Sequence, residues 1–96
     1  MDWTPIKRLT ARTESREHRL DAALLTVAVR LNRAPPEDWV VVFLHPPGRS
    51  RVIHELAVTG SAVTFTAEKG DDVSSTLADI DERVRSANLV IDRSSR

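Results

Sequence analysis

Two periodicities alternate along this chain. In the first third, Leu20, Leu24, Val27 and Leu31 step by four, three and four. That spacing aligns side chains on one stripe of an α-helix and predicts a helix from about Glu14 to Arg33. Ala22, Leu25 and Val29 form a second stripe, so the helix would be apolar on more than one side. It ends at "NRAPPED", because paired prolines cannot continue a helix and Ala34 is pushed towards extended geometry by the proline that follows it.

The pattern then changes. Trp39 to Leu44 is an unbroken β-branched and aromatic run, which predicts a strand apolar on both faces. From Val52 to Thr59 the chain alternates, with Val52, His54, Leu56 and Val58 on one side and Ile53, Glu55, Ala57 and Thr59 on the other. Gly60 and Ser61 make a two-residue hairpin loop, the length whose turns suit the strand twist. Its register would pair Thr59 with Ala62, Val58 with Val63 and Leu56 with Phe65. After Lys69 the helical period returns, as Val73, Leu77, Ile80, Val84, Ala87 and Ile91 step by four, three, four, three and four. A second helix is expected from about Asp72 towards Asn88, with Asp71 or Asp72 as its cap and Gly70 as the permissive turn before it. The expected fold class is α+β, a helix, a three-stranded antiparallel meander and a helix (αβββα), with a possible extra strand near Ile6 to Leu9.

Length confines this pattern to one domain, residues 1–96. Hydrophobic residues make up 41% and charged residues 29%, the balance of a globular chain. No apolar run reaches the roughly 20 residues of a membrane span, and "MDWTPIKRLT" lacks the apolar stretch of a secretory leader, so the expected location is cytoplasmic. The chain has no cysteine, which removes disulfides, thiolate metal sites and a cysteine nucleophile together.

Charge sums to zero, but unevenly: up to Arg51 there are nine basic and six acidic residues, and beyond it five basic and eight acidic ones. Arg12, Arg16 and Arg19 fall at helical spacing and, with Arg49 and Arg51 in a later loop, form a candidate surface for an anionic partner. Glu14, Glu17 and Asp21 stand among the first three, so a solvated helix face explains them as well.

The most chemically loaded stretch is "TAEKGDDVSSTL", Thr66 to Leu77. Its Lys69-Gly70 order followed by two acids is not a phosphate loop, and it lacks the mid-loop glycine of a calcium loop. His18, His45 and His54 never occur at the spacing of a metal-ligand pair, and no nucleophile elbow is present. Neither a metal site, a cofactor motif nor a catalytic constellation is expected.

The segment "EDWVVVFLHPPGRSRVIHELAVTGSAVTFTAEKGDDVSSTLADIDERV" resembles the ribosome-associated hibernation and translation-inhibitor proteins. There, strand, loop, strand, tight turn and strand lead through an acidic step into a long helix; Gly70, Asp71, Asp72, Val73 and Leu77 stand at that step. The resemblance implies association with the ribosome or structured RNA. It does not extend to that family's Lys- and Arg-rich final helix, since Asp79, Asp81 and Glu82 precede Arg83 and Arg85 here. The αβββα order is also that of double-stranded RNA-binding domains. Two functions follow as expectations: a non-catalytic module binding the ribosome or structured RNA, or a homo-oligomeric interaction module, most simply a dimer. The apolar excess of the first helix and the Trp39 to Leu44 strand would place the oligomer surface at Leu25, Val29, Val40 and Val42.

Overall fold

The firmest local signal, the Gly60-Ser61 hairpin, anchors the architecture of the computed structural model, which describes residues 4–46, 52–70 and 72–94. Ala57 pairs with Thr64, Val58 with Val63 and Thr59 with Ala62, the register expected from alternation, and Gly60 takes φ 58° in the turn. Around this hairpin the elements run β1 (Arg8–Glu17), β2 (Leu24–Leu31), α1 (Glu37–Leu44), β3 (Ala57–Thr59), β4 (Ala62–Glu68) and α2 (Ser74–Ser94). The described strands form one antiparallel sheet in the order β1-β2-β4-β3. The class is therefore α+β, but the order is ββαββα rather than αβββα.

Two elements change type. Residues 14–33 do not form a helix: they belong to a hairpin in which Arg16 faces Thr26 and Glu17 faces Leu25. Leu25, Val27, Val29 and Leu31 also satisfy a period of two, and that period wins because it stacks them beside Val63, Phe65 and Ala67 of β4. The turn before β2 is closed by the Asp21 carboxylate, which accepts the Ala23 N–H at 2.9 Å. Conversely, Trp39 to Leu44 is helical. Pro36 precedes the first turn, Glu37 and Asp38 lie at its positive end, and Trp39 and Phe43 stack one turn apart with centroids 5.0 Å apart. The prolines thus mark the start of α1 and not only the end of what precedes it.

The helices supply the core together with one sheet face. Val27, Val29, Leu31, Val63 and Phe65 meet Trp39, Phe43, Ile80, Val84, Ala87 and Ile91, and Ile6 joins them from just ahead of β1. The expected seam of α2 is the one that is buried. The segment at Ile6 to Leu9, expected as a possible strand, enters β1 at Arg8 and helps to enclose the apolar excess. Val29 is fully buried, and Leu25, Val40 and Val42 are half-buried against the same core. The residues expected at an oligomer surface are thus largely occupied within one chain. Among the described residues, no helix is long and apolar enough to cross a membrane.

Three polar ties lock this core at the end where the chain begins. Asn88 Oδ1 accepts the Ile6 N–H at 3.1 Å and the Trp39 Nε1–H at 2.9 Å, while its Nδ2 donates to the Ile6 carbonyl at 2.9 Å. Arg8 grips Asp81 through two bonds of 2.7 and 2.9 Å, and the bond to Asp81 raises the Arg8 pKa above its ordinary value. Arg83, buried on α2, donates to the Phe43 and Leu44 carbonyls at 3.0 and 3.2 Å. It supplies the cation missing from the last turn of α1. Desolvation lowers its pKa, with the nearby Asp79 charge opposing.

Candidate cleft at the open edge of β4

At the opposite end of the sheet the chain leaves a cleft of ≈ 590 Å³, within the size range of binding pockets. Its sides are the end of β4, the segment Val52 to Glu55 and the first turn of α2. The cause lies in Glu55. The alternation predicts a strand through Val52 to Thr59, with Glu55 opposite Thr66, but β3 begins only at Ala57. Glu55 takes φ 53°, in the left-handed region that a non-glycine residue adopts at a cost, and the Thr66 N–H donates instead to the His54 carbonyl at 2.9 Å. The shift ends β3 early, and β4 runs on to Glu68 with β2 on one side and no strand on the other.

Glu55 is held there by the first hairpin. His18 Nδ1 accepts the Leu20 N–H at 3.1 Å, so its Nε2 carries the proton in the neutral ring and donates to Glu55 Oε1 at 3.2 Å. On the other side, Asp72 Oδ1 accepts both the Ser74 N–H at 2.9 Å and the Ser74 hydroxyl at 2.6 Å. These bonds, the hydroxyl first, hold the Asp72 carboxyl below its ordinary pKa. The carboxylate expected at the helix start is therefore present at Asp72, bonded to Ser74, where α2 begins two residues later than expected, while Asp71 lies outside the described residues. The same stretch also forms a wall of the cleft, since Thr66, Glu68, Asp72, Ser75 and Thr76 all line it.

Three carboxylates, of Glu55, Glu68 and Asp72, meet here with His54, and no Lys or Arg is among the described lining residues. The nearest lysine in sequence, Lys69, is bonded to Glu17 at 2.9 Å. Leu24, Ile53, Ala67 and Val73 provide apolar surface within the cleft. Val52, which also lines the cleft, is 83% exposed.

Arg12, Arg16 and Arg19, singled out from the sequence, do not share a helix. Arg16 stands on the helix-free sheet face opposite Thr26, Arg19 lies in the turn after β1, and Arg12 falls in the irregular stretch of β1 between Leu9 and Thr13. Their helical spacing has no helix to act on. Arg49 and Arg51 lie outside the described residues. Among the described residues no group of three or more metal-ligating side chains is placed to hold an ion. No protein family, curated protein or solved structure matches the chain.

Sequence reasoning found Thr66 to Leu77 as the chemically loaded segment but not its partners His54 and Glu55. The cleft depends on Glu55 leaving the strand, and an alternating pattern carries no signal for a positive φ at a glutamate.

Proposed function

We propose that the protein is a small binding module that receives a positively charged group of its partner in the cleft beside β4. One observation carries the proposal: the charged side chains of the described lining are carboxylates, beside the apolar Leu24, Ile53, Ala67 and Val73, with no Lys or Arg among them. Carboxylates converging in a partly enclosed space favour a cationic guest, because each gains little from water-screened neighbours and more from a charge brought within contact distance. The reading favours a protein partner over RNA, since a phosphate backbone would meet Glu55, Glu68 and Asp72 first. The aromatic residues Trp39, Phe43 and Phe65, which could otherwise stack on bases, are buried.

Spermidine, a small polyvalent cation, is a suitable probe. In a residue-resolved NMR titration at low salt, shifts should concentrate on Leu24, Ile53 to Glu55, Thr66 to Glu68 and Val73 to Thr76, and should weaken as salt is raised. Shifts spread evenly over the exposed acids, including Glu37 and Asp38 at the start of α1, would overturn the proposal.

A further inference from the structure

Where β4 ends at Glu68, the strand edge that faces the cleft has no strand paired to it. The Lys69 N–H donates to the Ala23 carbonyl of the β2 side, and the Thr66 N–H to His54 on the other side. Even-numbered residues near the end of β4 therefore turn their backbone groups away from β2. β3 accounts for that edge as far as Thr64 and His54 for the Thr66 amide. Glu68 comes next, and its N–H and C=O face the cleft. Open main-chain groups at the end of an edge strand, here those of Glu68, can seed pairing with an added strand.

Side chains on the two sides of this edge differ in kind. Glu68 pairs with Leu24 on the helix-free face of the sheet, and Glu55, bonded to His18, adds a second carboxylate beside the edge. Ala67, Ile53 and Val73 pack towards the core on the helix side. A strand laid along β4 would point alternate side chains to these two surroundings.

We infer, resting on the cation-binding reading above, that the partner is an extended polypeptide segment in which basic and aliphatic residues alternate. Its main chain pairs with Glu68, its Lys or Arg side chains meet Glu55 and Glu68, and its aliphatic side chains cover Ile53, Ala67 and Val73. The Glu55 backbone turn is what makes room for it: continued pairing of β3 to Glu55 and beyond would close the edge. Charge complementarity selects the sign of the guest, and the edge selects its extended form.

Three synthetic hexapeptides test this on the full chain: alternating Lys and Val, the same peptide with alternate backbone nitrogens methylated, and alternating Glu and Val. The Lys–Val peptide should bind about tenfold or more tighter than either of the others, and it should slow hydrogen exchange at the Glu68 amide. Equal binding of the methylated peptide, with shifts still confined to the cleft, would overturn strand addition while leaving the cation-binding reading intact. Spermidine shifts in the cleft without binding of the Lys–Val peptide would overturn it in the same way. Failure of both spermidine and the Lys–Val peptide to shift any cleft residue would overturn both. Glu68→Pro deletes the amide proton while Glu68→Gln keeps it. Loss of Lys–Val binding in the first with partial retention in the second is expected, and equal loss in both, with each variant folded, would count against main-chain pairing.

Discussion

The two ends of the molecule use similar residue types to opposite effect. At the end where Ile6, Trp39 and Asn88 meet, the Asn88 amide is turned inward onto a backbone and a ring nitrogen and so ties α1, α2 and the segment before β1. At the cleft end, Glu55, Glu68 and Asp72 line an open space, and the bonds to His18 and Ser74 fix Glu55 and Asp72 in its walls. A buried polar group must be satisfied within the chain, so the first end has little freedom to serve a partner. The second end retains backbone and carboxylate groups that a partner can satisfy. Stability and recognition are thus assigned to different ends of one small sheet.

Breaking the closed end should have the largest effects. Val29→Glu places a carboxylate at a fully buried position and should cost about 4 kcal/mol or more. Circular dichroism with thermal melting should show loss of the folded state; a folded monomer released from a dimer would indicate instead that Val29 serves an interface. Asn88→Ala strands the Ile6 amide and carbonyl and the Trp39 Nε1–H. A loss of about 3 kcal/mol in denaturant unfolding is expected, and a loss below about 1 kcal/mol would mean that the amide is not the tie it looks to be.

Changes at the open end should be smaller and should separate backbone from side chain. Glu55→Val forces a β-branched residue to φ 53° and should cost about 1–2 kcal/mol. Glu55→Gly, which adopts that conformation freely, should stay within about 0.5 kcal/mol of the parent. Equal losses in the two variants would assign the effect to the His18 bond rather than to the backbone.

The smallest effect concerns pH. Accepting the Ser74 hydroxyl and N–H keeps the folded Asp72 carboxyl below its ordinary pKa, so its stabilising contribution is present above the unfolded value and is lost as pH falls through the folded one. The melting difference between the parent and Asp72→Asn should therefore hold near neutral pH and shrink below about pH 4. A difference that grows on acidification would contradict the capping bond.

How much of this was legible in the sequence follows from which interactions are local. The hairpin at Gly60 and the seam of α2 are written in nearest neighbours and one period, and both stand as expected. The Leu24 to Leu31 segment fits two periods at once, and only its pairing with β4 decides between them. For Trp39 to Leu44, β-branched propensity points to a strand, but burial of Trp39 and Phe43 on one side and the Arg83 cap favour a helix. Tertiary contacts decided both, and a single sequence does not display them. The cleft was half visible: its α2 wall and the end of β4 lie in the stretch that carried the most chemistry, whereas its opposite wall depends on the Glu55 turn.

The central claim is that β4 has one closed edge and one open edge at its end, and residue-resolved native-state hydrogen exchange of the free protein tests it directly. The Phe65 amide faces Val27 within the sheet and should exchange only with global unfolding, while the Glu68 amide, facing the cleft, should exchange near the rate of an unprotected residue. Protection of Glu68 equal to that of Phe65 would show that the edge is already covered and would contradict the account.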